Sequence, residues 1–273
     1  MPASPARRER RHPPPLLAAA FRQAGTRVHD VRTTLGVAVV AGGLVAGLGM
    51  LVFAWLASFV HGGRTQAFDE AVLRWMGAHR VAWVEAVALE VTFLGTATVV
   101  CTIAGVAALF LALLRERVAA WLLVCATVGA LVLNNVLKAL FHRPRPELFT
   151  WGTHVATTSF PSGHAMSAAA VYGTVALLAA RLSRRRAVRA SVYAVCGLLV
   201  AAVAASRMYL GVHYPSDVAA GVVVGAAWAG FCTALLEAAG QARRHRRRGD
   251  ADGHVGAAAA AAQDASMRAN TRS

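Results

Sequence analysis

Of the 28 basic residues in this chain, 27 are arginine and one is lysine, Lys138. It stands where a long apolar run turns polar, in Lys138-Ala-Leu-Phe-His-Arg-Pro-Arg145-Pro146. Ionisable residues at membrane depth are costly and are functional candidates by default. A lone lysine there has a plainer explanation, an ammonium snorkelling to an interface. Arg145, and Arg207 in the later stretch Ser206-Arg207-Met-Tyr-Leu-Gly-Val-His213-Tyr-Pro-Ser-Asp217, weigh against it. Three cations brought together from two segments read as an anion site. Guanidinium groups grip phosphate oxygens through two bonds at once, and an ammonium adds a point charge.

A second segment, Phe160-Pro161-Ser162-Gly163-His164, opens another apolar run. The first N–H groups of a helix and its positive end favour an anion. Gly163 lets backbone approach a ligand, and Ser162 offers a hydroxyl that can donate to a ligand or cap the helix. Two histidines complete the set. His213 precedes Asp217 by four residues, so the carboxylate can hold one ring nitrogen, fix the tautomer and leave the other nitrogen free to attack. His164 is placed to protonate a leaving alkoxide. Each histidine alone reads as a polar interfacial residue; the pair beside three cations reads as a site. His164, His213 and Asp217 are also possible metal ligands. A divalent ion beside Lys138, Arg145 and Arg207 would meet like charge, so no metal and no other cofactor is expected. His142, Arg143, Glu147 and His154 lie in the same outer loop; they read equally as headgroup contacts and as solvated loop. Asn134, one helical turn before Lys138, is placed either to orient it or to bond a neighbouring helix. Gly221 and Gly225 read as helix-packing positions.

The elements that must carry these residues are membrane spans. The chain is 57% hydrophobic with a mean hydropathy of +0.50, and the excess is gathered into long runs with few charges. A span needs about 20 apolar residues. Six are expected, at about 34–60, 91–114, 118–141, 163–180, 187–210 and 217–239, with an amphipathic interfacial helix within 61–90 carrying Trp75 and Trp83 at headgroup level. Residues 1–33 and 240–273 read as basic cytoplasmic tails, the first mostly disordered, around one membrane domain over 34–239. With the N-terminus inside, 21 of the 28 basic residues fall on the cytoplasmic side and seven outside. The positive-inside rule selects that orientation. All three polar segments then share the extracytoplasmic face. The net charge of +15 is therefore assigned to the membrane surface and not to nucleic acid. Cys101, Cys125, Cys196 and Cys232 read as small apolar residues within the runs.

In order, the polar segments read Lys-six residues-Arg-Pro, Pro-Ser-Gly-His, and Ser-Arg-five residues-His-three residues-Asp. In that pattern the chain resembles the type 2 phosphatidic acid phosphatase (PAP2) family, which shares a core fold and phosphate site with the vanadium haloperoxidases. The resemblance covers about 34–239 and every fixed motif position. It implies an all-α, polytopic six-helix bundle. It implies His213 as a nucleophile forming a phosphohistidine, Asp217 as its orienting group and His164 as the acid. Lys138, Arg145, Ser162, Gly163 and Arg207 would hold the phosphate. The expected function is a metal-independent hydrolase of a lipid phosphomonoester or diphosphate in the plasma membrane: phosphatidic acid, phosphatidylglycerol phosphate or polyprenyl diphosphate. The alternative is a lipid phosphotransferase that passes the same phosphohistidine to an alcohol. The expected partners are the lipid phosphate and the bilayer. The lipid and the oligomeric state are left open.

Overall fold

The computed structural model describes residues 39–151, 157–238 and 240. The expected tails, apart from Gly240, and the loop residue His154 lie outside the described residues. Within them the chain is helical. The helices are α1 Val39–His61, α2 Gln66–Ala78, α3 Ala82–Phe93, α4 Ala97–Leu113, α5 Arg117–Leu140, α6 Gly163–Leu182, α7 Arg186–Tyr209 and α8 Pro215–Ala238.

Five of these, α1, α5, α6, α7 and α8, are long and apolar enough to span a bilayer alone. The sixth expected span differs. Its residues fall in α3 and α4, two helices bent by 51° at Leu94-Gly95-Thr96. Thr96 Oγ1 accepts from Val99 N, so α4 starts with its own cap. The segment expected as one interfacial helix is likewise two: α2 ends at Ala78 with His79 as its cap, and α3 begins at Ala82. A Cβ at Gly95 would stand 3.0 Å from that of His164. The break therefore brings the α3–α4 joint against the start of α6.

Helix α6 is the central element. Ala165 to Tyr172 are all buried, so apolar and small side chains point inward on every face, as a core helix requires. It packs on α4, α5 and α7. Helix α8 reaches it through glycine: a Cβ at Gly221 would come 2.5 Å from Ser162 O, and one at Gly225 2.3 Å from Met166 O. Those two positions allow direct backbone contact, the role their spacing implies. The outer helices leave Leu48, Trp55, Phe110, Trp121 and Leu198 exposed, an apolar surface suited to lipid. Cys101 and Cys125 also face outward, while Cys232 is buried.

At the end of the bundle where α5 stops and α6 starts, Phe160 is fully buried. It stacks on Phe53 of α1 at 5.7 Å and meets Phe141 edge-on at 5.2 Å. This aromatic cluster anchors the Pro161-Ser162-Gly163-His164 turn from below. Tyr172 Oη donates to Leu94 O at 2.7 Å and fixes the α3–α4 break to α6.

Candidate active site

A cavity of about 200 Å³ opens among α4, α5, α6 and α7. Its lining includes Lys138, Arg145, Gly163, His164, Arg207 and His213, six of the eight residues singled out from the sequence. The other two adjoin it: Ser162 precedes Gly163, and Ser162 N donates to Asp217 O at 3.0 Å. The three polar segments, up to 75 residues apart, thus meet at one point.

Each of the three cations donates to neutral oxygens. Lys138 Nζ donates to Thr157 Oγ1 and Thr158 O, both at 2.9 Å. Arg145 Nε donates to Thr157 O at 2.7 Å, and its Nη1 donates to Val212 O at 2.6 Å. Arg207 is almost fully buried, and its Nη1 donates to Thr92 Oγ1 at 2.7 Å. Among the described residues no carboxylate pairs with any of these three. Arg207 Nε and Ser162 Oγ are buried without a hydrogen-bond partner among them. Ser162 does not cap α6 through its side chain, so its hydroxyl is unspent. Burial pushes the Arg145 pKa down to about 10, with Asp217 pulling it the other way; the group remains cationic at neutral pH. Unpaired buried donors and uncompensated cations are costly, and an anion in the cavity relieves both.

His213 is fully buried, on the turn between α7 and α8. Gly211, with φ +74, lets the chain reverse after α7 and bring His213 back over the cavity. Arg145 Nη1 lies 3.2 Å from His213 Nε2. Arginine can only donate, so Nε2 is the acceptor and Nδ1 carries the proton of the neutral ring. Asp217 Oδ2 is 3.7 Å from Nδ1, on the correct side but longer than a hydrogen bond. Ser159 Oγ fills the gap: it bonds Asp217 Oδ2 and stands 3.5 Å from Nδ1. Burial drives the His213 pKa down to about 4, with Asp217 pulling upward and Arg145 adding to the fall. At neutral pH the ring is therefore uncharged, with its lone pair on Nε2 facing Arg145 Nη1.

Comparison with known proteins follows the same lines. Residues 118–241 match the model of the PAP2 superfamily. The chain is 32% identical over 179 residues to phosphatidylglycerophosphatase B of Bacillus subtilis, spanning 64% of this chain and 86% of that protein. It is 36% identical over 141 residues to the decaprenylphosphoryl-5-phosphoribose phosphatase of Mycobacterium tuberculosis, spanning 50% of this chain and 70% of that one. The crystal structure of a transmembrane PAP2-type phosphatidylglycerolphosphate phosphatase from Bacillus subtilis superposes with a TM-score of 0.64 at 30% identity, covering 70% of this chain and 96% of the other. The chain belongs to the PAP2 superfamily. It is a multi-pass membrane phosphatase, a phosphoric ester hydrolase of lipid metabolism.

The PAP2 motifs do not include every polar group at this site. Arg143, read from sequence as a loop residue, is partly buried and bonds Asp217 Oδ1 from Nη1 at 2.6 Å and Asp69 Oδ2 from Nη2 at 2.8 Å. Burial opposes its charge, but Asp217 and Asp69 outweigh that and raise its pKa above the ordinary guanidinium value. Ser159 was also missed, although its position two residues before Pro161 is a signal of a kind. His142 and Glu147 are exposed. Asn134 makes no hydrogen bond to Lys138 among the described residues; it lies against Gly163, lining the cavity, with its Oδ1 buried and unpartnered among them.

Proposed function

We propose that this chain removes a terminal phosphate from a lipid phosphomonoester or diphosphate through a phosphohistidine on His213. The observation that carries the reading is the cavity itself. Three cations free of carboxylate partners among the described residues, two unspent buried donors and the unprotonated Nε2 of a neutral histidine converge there. Preorganised donors around developing negative charge are the largest single contribution to such transfers.

In the proposed sequence the phosphate oxygens bind Lys138, Arg145, Arg207, Ser162 Oγ and Gly163 N. His213 Nε2 attacks phosphorus. The bond to the lipid oxygen breaks, and His164 donates a proton to that oxygen as it leaves. Water then attacks the phosphohistidine while His164 takes its proton, the P–N bond breaks and inorganic phosphate departs. Asp217 stabilises the charge that His213 gains. The relatives named above are phosphatases, which favours water over an alcohol as acceptor. All of these groups are protein groups, and the reading has no metal in it.

The same reading places the site on the extracytoplasmic face of the plasma membrane, supported by the distribution of arginine along the chain. The lipid chain enters between helices beside Ala97 and Leu131, apolar residues in the cavity wall. The test is phosphate release by purified protein, with EDTA, from phosphatidic acid, phosphatidylglycerol phosphate and a polyprenyl diphosphate. His213→Ala is run beside it. EDTA-resistant release that the substitution abolishes is the expected result; full activity in that variant rules the mechanism out.

A further inference from the structure

Arg143 joins two carboxylates that are both fully buried, Asp217 of α8 and Asp69 of α2. Its Nη1 donates to Asp217 Oδ1 and to Ser216 Oγ at 2.8 Å; its Nη2 donates to Asp69 Oδ2 and to Gln66 Oε1 at 3.0 Å. The guanidinium lies 4.1 Å over the ring of Tyr214. Asp69 is tied in turn to the start of α8, accepting from Ser216 N at 3.0 Å and from Ser216 Oγ at 2.5 Å. Neither Arg143 nor Asp69 lines the cavity.

This arrangement fixes the plane of the Asp217 carboxylate from both sides. Oδ2 accepts from Ser159 Oγ and from Tyr214 N at 2.9 Å, and it is the oxygen turned toward His213. Oδ1 has Arg143. Without Arg143 the carboxylate would be held through Oδ2 alone and would lose the charged donor that fixes its tilt toward Nδ1. An ammonium could not replace Arg143, because the bridge uses the two terminal nitrogens of one planar fork. Asp69 satisfies the second nitrogen of that fork and so holds the first in place.

We propose that Arg143 and Asp69 are a positioning pair for the reaction: Arg143 sets the orientation of Asp217, and Asp69 sets Arg143, so helix α2 is built into the catalytic geometry. The proposal rests on the histidine mechanism above. Displacing a reacting group by about 1 Å costs on the order of 100-fold in rate. For Arg143→Ala the expected result is therefore a fall of about 100-fold in kcat with little change in KM. Guanidinium ion added to the assay fills the vacated space and restores part of the lost kcat. Arg143→Lys remains impaired. Asp69→Asn shows a smaller kcat loss, and the Asp69→Asn/Arg143→Ala double variant is no worse than Arg143→Ala alone, since the two act as a unit.

Unchanged kcat in Arg143→Ala overturns the proposal. So does a loss in both single variants that tracks a lower thermal unfolding midpoint and that guanidinium does not reverse, because a structural prop would behave in that way. His213→Ala, assayed in parallel, separates the two layers. An inactive His213→Ala beside an unaffected Arg143→Ala removes only the positioning pair. An active His213→Ala removes the mechanism on which it rests.

Discussion

Arg145 Nη1 stands 3.2 Å from His213 Nε2, the nitrogen whose lone pair points into the cavity. The proposed phosphate-binding cation and the proposed nucleophile therefore lie within hydrogen-bonding reach before any substrate is bound. The contact identifies the tautomer, since a guanidinium has no lone pair to offer. It also means that arrival of a phosphate must draw Arg145 from Nε2 onto the phosphate oxygens, freeing the nucleophile as the electrophile arrives.

Arg145→Lys keeps the charge but loses the fork that reaches Thr157, Val212 and His213 together. A charge-assisted hydrogen bond is worth about 2 kcal/mol, or roughly 30-fold in an equilibrium or rate. The variant is expected to lose about that factor in kcat/KM and to bind inorganic phosphate and vanadate correspondingly more weakly. Inhibition constants for both anions measure this. Unaltered vanadate inhibition would remove Arg145 from the phosphate site.

The depressed pKa of His213 has a sign that can be checked. A neutral ring reacts with diethyl pyrocarbonate and a protonated one does not. With a pKa of about 4, His213 should react at its full rate at pH 6 and pH 5 and lose reactivity only as pH falls through 4. The unfolded chain protonates the same residue near 6.5. The stability tied to keeping it neutral is thus complete above that pH and lost between 6.5 and 4. Mass spectrometry of the modified peptide across this range gives the midpoint. A midpoint near 6.5 would contradict the burial and charge environment described.

The residues proposed to do chemistry stand out in the sequence because they are rare polar types in apolar surroundings, at fixed spacings. Lys138 is conspicuous in an arginine-using chain, and His213 and Asp217 lie one helical turn apart. What was hidden is what depends on distant pairing. Arg143 and Asp69 are separated by 74 residues, and each alone looks like an ordinary charge on a loop or an amphipathic helix. The α3–α4 bend was hidden for a related reason. Residues 91–114 are apolar enough to read as one span start to finish, and only Gly95-Thr96 punctuates them. That glycine is explained by His164 and Val203, which the sequence places far away.

Gly221→Val tests how firmly α8 supports the Pro-Ser-Gly-His turn. The new Cβ would begin 2.5 Å from Ser162 O, which is backbone and cannot swing aside. Overpacking of this kind costs about 1–3 kcal/mol. Relief requires the turn to move, and Ser162 N is bonded to Asp217 O. The expected outcome is a lower unfolding midpoint in detergent together with a loss of activity larger than the loss of folded protein. Gly197, with open space around it, is the control, and Gly197→Ala should change neither.

Thr92 provides the last test, because it holds a proposed phosphate-binding cation, Arg207, from a helix that carries no family motif. Its Oγ1 is the hydrogen-bond acceptor for Arg207 Nη1, at 2.7 Å, and Arg207 is nearly inaccessible. Thr92→Val removes the acceptor and keeps the shape, leaving a buried cationic donor unsatisfied at a cost of about 1–3 kcal/mol. Arg207 should then settle less well onto phosphate. In the proposed mechanism it binds the same oxygens in substrate and transition state, so the loss falls on binding common to both. KM should rise by roughly 10-fold with kcat nearly unchanged. Thr92→Ser restores the hydroxyl and should restore KM. A fall in kcat at constant KM would instead mean that Arg207 acts only on the transferring group, and that α3 contributes to the chemical step and not to holding the lipid phosphate.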